Sequence, residues 1–196
     1  ALPIYLYEII GKQNDNSIIW EKISLKDYLN FDKGIEVGTI ENPEDIDSFV
    51  RLYKVGDMDE EFDNKKGEYI ENDYLKVNRV IPSDIMVSFD GTPGKVSIGL
   101  EGCYSSGIRK ISSIDGSIPV SLIYELFNSE DLQYTIKQYS TGSNILHASE
   151  AINHFEILYN KEIFKEFGNK YDELFSLLVN NITIIKRAIK YRDSLI

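Results

Sequence analysis

The chain has 196 residues, 42% of them hydrophobic, five prolines and a formal net charge of −11, enough for one domain with a substantial core and an appendage. Its single cysteine, Cys103, excludes an internal disulfide, and no apolar run approaches the roughly eighteen residues that a membrane span needs. A cytoplasmic protein without a membrane partner is the expectation. The net charge speaks against a uniformly basic nucleic-acid-binding surface, but it is unevenly spread. Glu41 to Asp73 holds twelve acids against Arg51, Lys54, Lys65 and Lys66, whereas Tyr74 to Ser112 has Lys76, Arg79, Lys95, Arg109 and Lys110 against Asp84, Asp90 and Glu101. An acidic chain with one mildly basic face is compatible with both counts.

The opening ALPIYLYEII lacks a basic start and a small-residue cleavage site, so it reads as a strand rather than a signal peptide. SIIWEKISL reads as a second short strand after the turn-rich GKQNDN. LKDYLNFDKG places Leu25, Tyr28 and Leu29 at helical spacing with Gly34 as a stop, which predicts a helix. SFVRLYKVGD alternates as a strand, followed by a charged loop. From Asn72, the segments YLKVNRVI, DIMVSFDG, GKVSIGLEG and GIRKISS read as strands of a mainly antiparallel sheet, punctuated by IPSD, DGTPGK and GCYSSG. Ile118 to Tyr139 predicts two short helices, the second capped by Ser129. STGSN is a polar loop, ASEAIN a short helical turn, and HFEILY a strand leading into a long helix from Lys161.

That last helix carries the widest apolar pattern in the chain. A heptad begun at Phe164 puts Phe164, Tyr171, Leu178 and Ile185 at the first position and Phe167, Leu174 and Ala188 at the fourth, with Asn181 interrupting. Phe175, Ile182, Ile189 and Ile196 form a flanking row. The expected interface is Phe164, Phe167, Tyr171, Leu174, Phe175, Leu178, Ile182, Ile185 and Ile189, facing a second helix outside this sequence. Folding back over its own sheet is the alternative, with Gly168 as a place to bend.

Motifs for chemistry are sparse. With two histidines, one cysteine and neither CxxC nor HExxH, a zinc site is not expected. GxSxG and GxGxxG are absent, and the glycine-bearing turn Asp90–Lys95 has no Walker spacing. No cofactor is expected. One enzymatic alternative remains, a carboxylate pair among Asp84, Asp90 and Glu101 on neighbouring predicted strands. The other alternative is a protein-interaction module whose acidic surface meets basic partners.

An ordered series of short phrases resembles one family. Trp20-Glu21-Lys22-Ile23-Ser24-Leu25-Lys26-Asp27 with Lys33-Gly34, then Val80-Ile81-Pro82-Ser83-Asp84-Ile85-Met86-Val87-Ser88 with Gly91-Thr92-Pro93-Gly94-Lys95, resemble the target recognition domains of type I restriction-modification specificity subunits. Tyr104-Ser105-Ser106-Gly107-Ile108, Thr141-Gly142-Ser143, Phe155-Glu156-Ile157 and the closing Tyr191-Arg192-Asp193-Ser194-Leu195-Ile196 continue the likeness in order. It covers Trp20 to Ile196 and departs from the family pattern in its acidity, in lacking a proline-rich lead into the closing helix, and in length.

The resemblance implies an α/β (α+β) fold: a mixed, largely antiparallel recognition domain with short helices over 1–158, then a coiled-coil-type dimerisation and spacer helix over 159–196. It implies a noncatalytic subunit that selects half of a bipartite target in double-stranded DNA and docks methyltransferase and restriction subunits. A full specificity subunit has two such domains and two such helices. This chain therefore resembles either a half-subunit that pairs with a copy of itself or one half of a longer polypeptide. At about 1.5 Å per residue the helix would reach roughly 50 Å, the scale of a spacer between half-sites. Candidate DNA contacts are Lys33, Arg51, Lys54, Arg79, Ser88, Thr92, Lys95, Ser105, Ser106, Arg109, Lys110, Ser140, Thr141 and Ser143, cations and short hydroxyls suited to phosphates and base edges.

Overall fold

The structure is a computed structural model that describes residues 11–12, 15, 17–41, 43, 48–59, 67–72, 79–143 and 145–194. The strand expected in IYLYEII and the terminal Ile196 lie outside these residues, as do parts of the charged loop and of YLKVNRVI. In chain order the strands are β1 (Glu21–Ser24), β2 (Leu29–Lys33), β3 (Ile40–Glu41), β4 (Phe49–Tyr53), β5 (Glu68–Glu71), β6 (Arg79–Val80), β7 (Ile85–Ser88), β8 (Asp90–Gly91), β9 (Val96–Ser97), β10 (Gly102–Tyr104), β11 (Ile108–Ser113), β12 (Leu146–His147) and β13 (Glu156–Tyr159). The helices are α1 (Val120–Asn128), α2 (Glu130–Gln138) and α3 (Lys161–Ser194). The fold class matches the α/β expectation: mixed, largely antiparallel sheets, short helices and a long closing helix.

Two sheets organise the domain. One has the order β2-β11-β7-β9 and is antiparallel throughout; the other, β3-β5-β4-β10-β6, contains one parallel pair, β4 with β10. Two further ladders, β1 with β13 and β8 with β12, tie distant segments together. Within the four-stranded sheet β7 is buried on both faces, and period-2 alternation along β7 and β11 sorts side chains between two cores. Ile85, Val87 and Ile111 join the large core beneath α1, α2 and α3, while Met86 and Ile108 join Tyr53, Val80, Leu100 and Tyr104 on the other face.

Two local expectations change. LKDYLNFDKG is not a helix: Leu25–Asp27 forms one 3-10 turn and Leu29–Lys33 is β2. Leu25 and Leu29 are buried as predicted, but a turn followed by a strand satisfies the same three-to-four-residue spacing. The choice is made by Phe31, which stacks on Phe155 and meets Phe89 and Phe127 edge-on, contacts that a β2 pairing with β11 permits. GCYSSG is not simply a turn either, since Gly102–Tyr104 is the buried strand β10. The two short helices and the Ser129 cap appear as expected, with Ser129 Oγ accepting from Leu132 N–H.

The long helix is continuous from Lys161 to Ser194. Gly168 does not bend it. A Cβ there would lie 2.9 Å from Pro119 Cγ, so the missing side chain lets α3 pack closely against the start of α1. Asp172 Oδ1 accepts from both Ser121 N–H, at 3.1 Å, and Ser121 Oγ–H. Tyr124 and Phe175 rings sit 5.5 Å apart and Tyr159 and Phe164 rings 4.9 Å apart.

Candidate nucleic-acid interface

The predicted contact residues separate into three groups with different standing. Ser88, Arg51 and Arg109 are corrected from surface contacts to interior groups. Ser88 is fully buried; its hydroxyl donates to Thr92 O at 2.6 Å and accepts from Lys95 N–H at 2.9 Å, closing the turn between β7 and β9. Arg109 shares the parity of Ile111 on β11, which turns it toward the large core, where it is 6% exposed over the Phe89 ring. It donates to Ser106 O at 2.6 Å and Ser149 Oγ at 3.2 Å, and burial moves its guanidinium pKa downward. Arg51 is equally buried on the central strand β4, facing Tyr53 and Tyr69, with Asp57 Oδ1 at 3.5 Å.

A second group is at the surface but occupied by structural partners. Lys54 pairs with Glu68, whose carboxyl is held below its ordinary range first by that lysine and then by Thr39. Lys95 Nζ donates to Val55 O at 3.2 Å. Lys110 Nζ lies 3.7 Å from Asp84 Oδ2. Ser140 Oγ–H donates to Ile136 O at 2.7 Å at the end of α2.

The third group gathers around open cavities. Thr92 and Ser140 line one of about 690 Å³ between the β8–β9 turn and α2, with Tyr134, Lys137 and Leu146. Lys54, Ser105 and Ser106 line another of about 460 Å³ that shares Gly91 with the first. Thr141 and Ser143 are exposed on the adjoining loop, held by paired backbone hydrogen bonds between Thr141 and His147. Lys33 is exposed at the end of β2. Arg79 lines a third cleft, of about 520 Å³, together with Arg51, Lys186 and Arg187. The last two residues were not among the sequence candidates, because their nearness to the sheet depends on where the helix lies.

The three carboxylates of the enzymatic alternative have different surroundings. Asp84 accepts from Ile81 N–H at 2.9 Å and faces Lys110; Asp90 is 2.7 Å from His147 Nδ1; Glu101 lines the cleft with Arg79. None of the three cavities described above is lined by more than one of them, and among the described residues no group of three or more His, Cys, Asp and Glu is placed to hold a metal ion. Burial pushes the Cys103 thiol up to about 11 and the Tyr104 hydroxyl up to about 12, which leaves both protonated at neutral pH. No described helix is long and apolar enough to cross a membrane.

The apolar stripe of α3 divides into two rows. Phe164, Phe167, Tyr171 and Phe175, expected at an intermolecular interface, are 2 to 6% exposed within their own domain, as is Val179 at 5%. Leu178 and Ile182 are half-buried beside them. The outward row is Leu174, Leu177, Asn181, Ile184, Ala188 and Tyr191, spaced alternately three and four apart as in a coiled-coil seam. Leu174, Leu177 and Ile184 are 48, 52 and 63% exposed. Ile185 and Ile189 flank the outward row.

A β-rich domain of paired sheets followed by one long helix has counterparts among solved structures. The S subunit of a type I restriction-modification system from M. genitalium has a similar fold, at a TM-score of 0.51 and 13% identity over 93% of this chain and 43% of that one. The HsdS subunit from Thermoanaerobacter tengcongensis gives a TM-score of 0.55 and 12% identity over 88% of this chain and 42% of that one. A structure from a study of complex assembly and conformational transition in the type I restriction-modification system gives 0.52 and 10%, over 98% and 48%. The chain thus spans a little under half the length of each. No family model matches it, and neither does any curated protein.

Proposed function

We propose that this chain is a noncatalytic DNA-recognition subunit of a type I restriction-modification system, selecting one half of a bipartite target. The observation that carries this reading is the extent of the likeness. Recognition domain and helix together, 88 to 98% of the chain, follow the fold of specificity subunits across less than half of their length. In this reading residues 1–158 form the recognition unit and 159–196 the spacer helix. The outward row from Leu174 to Tyr191 pairs with a second copy of the chain or with the other half of a longer subunit. The complex docks methyltransferase and restriction subunits and works in the cytoplasm, where its DNA is.

Base and backbone contacts come from the exposed candidates Lys33, Thr92, Thr141 and Ser143 and the half-buried Ser105 and Ser106, with Arg79, and not from the buried Arg51, Ser88 and Arg109 in their present positions. The test is co-expression with a methyltransferase subunit, purification of the complex and mapping of methylated adenines. One recurrent split motif is expected. A complex that forms, with a competent methyltransferase, yet modifies no motif would refute the reading.

A further inference from the structure

Four cations from three distant stretches of the sequence converge on the cleft between the five-stranded sheet and α3. Arg51 comes from β4, Arg79 from β6, and Lys186 and Arg187 from the second half of the helix, with Glu101 as the acid in the same lining. In a chain with a net charge of −11, that convergence runs against the average surface. Like charges gathered against protein walls raise the local potential and favour an anion between them.

The cleft is built by a close approach. Gly99 sits at φ 74°, and a Cβ there would lie 2.6 Å from Ile182 Cγ2. Its absence lets α3 come down against the segment after β9, where Lys186 Nζ donates to Gly99 O at 3.0 Å. That bond fixes the ammonium head at the cleft wall. On the sheet side, Arg79 Nη2 donates to Asn72 Oδ1 at 2.6 Å, which orients a guanidinium that has five N–H donors. Arg79 and Arg187 are exposed at the rim, outside the buried Arg51, which already faces Asp57. At about 520 Å³, the cavity falls in the range of ligand sites.

We propose that this cleft receives a phosphate of the DNA backbone, at the junction of recognition domain and helix. The proposal rests on the DNA-recognition reading and adds to it a contact shared by both parts of the chain. A phosphate held between Arg79 on the sheet and Lys186 and Arg187 on α3 fixes the helix relative to the duplex, which a spacer requires.

Fluorescence anisotropy with a random-sequence duplex, titrated over a range of salt, tests it on three proteins. These are the wild-type chain, the cleft variant Arg79→Ala with Arg187→Ala, and a control, Lys22→Ala with Lys165→Ala, which removes the same charge from exposed positions outside the cleft. The cleft variant is expected to bind about tenfold more weakly and to lose about one unit of salt slope for each phosphate contact removed, while the control stays near wild type. If wild type binds and the cleft and control variants behave alike, the cleft proposal is overturned and DNA recognition stands. If wild type does not bind duplex at all, both fall. Inorganic phosphate is the remaining probe: saturable binding that the cleft variant loses, with duplex affinity unchanged in that variant, marks a free-phosphate site and overturns the DNA contact.

Discussion

Glu125 offers the sharpest quantitative test of how this domain is packed. It lies on α1 among Leu122, Ile123, Leu126 and Phe127, is 7% exposed, and burial pushes its carboxyl up to about 7 from 4.5. Below the unfolded value both states hold the proton and the site costs nothing. As pH rises, the unfolded chain ionises first, so stability falls until the folded carboxyl also ionises above about 7. With 1.36 kcal/mol per unit, the full loss is about 3 kcal/mol, most of which falls between pH 5 and pH 8. Glu125→Gln removes the titration, and any cost of the buried amide is independent of pH. Urea unfolding of both proteins at pH 5, 6, 7 and 8 therefore reads the site as a difference. Wild type is expected to lose about 2–3 kcal/mol more than the variant across that interval, a midpoint change on the order of 1 M. Parallel pH profiles for the two proteins would refute the burial argument.

Three further outcomes follow from the packing of α3 and β11. Asp172→Ala removes the acceptor of both Ser121 bonds and is expected to cost about 1–3 kcal/mol; a double-mutant cycle with Ser121→Ala that shows no coupling would contradict the contact. Arg109→Met leaves Ser106 O without its buried donor and should lower the thermal midpoint without altering the salt dependence of DNA binding, whereas a reduced slope would return Arg109 to the interface. If the chain pairs with a copy of itself, Leu177→Lys with Ile184→Lys, which places charge on the outward row of α3, is expected to convert that dimer to a monomer in sedimentation with an unchanged thermal midpoint. Equal masses for wild type and variant would show that this row is not the pairing surface.

Where one physical rule dominated, the sequence was legible. Apolar alternation identified β4, strand-forming segments between turn signals marked β7 and β11, and the Ser129 cap located the start of α2. The length of α3 followed from the persistence of its apolar pattern. Leu25 to Phe31 was misread because its spacing suits a helix as well as a turn and strand, and only the ring packing of Phe31 distinguishes them. For the contact residues, type alone was a poor guide. Ser88, Arg51 and Arg109 have the side chains that DNA contacts use, but strand parity and sheet position turn them inward.

By itself, then, the sequence determined the strand-rich middle of the chain, the two short helices, the presence of a long amphipathic helix and the scarcity of catalytic motifs, since each depends on local periodicity or residue type. The tertiary structure decided how the apolar stripe of α3 is divided. Phe164 to Val179 is buried in its own domain because Gly168 and Asp172 seat the helix on Pro119 and Ser121, and the row from Leu174 to Tyr191 is left facing outward. It also decided that Arg79, Lys186 and Arg187 share one cleft. More than a hundred positions separate Arg79 from the two helix residues, and only the approach of α3 to Gly99 makes them neighbours.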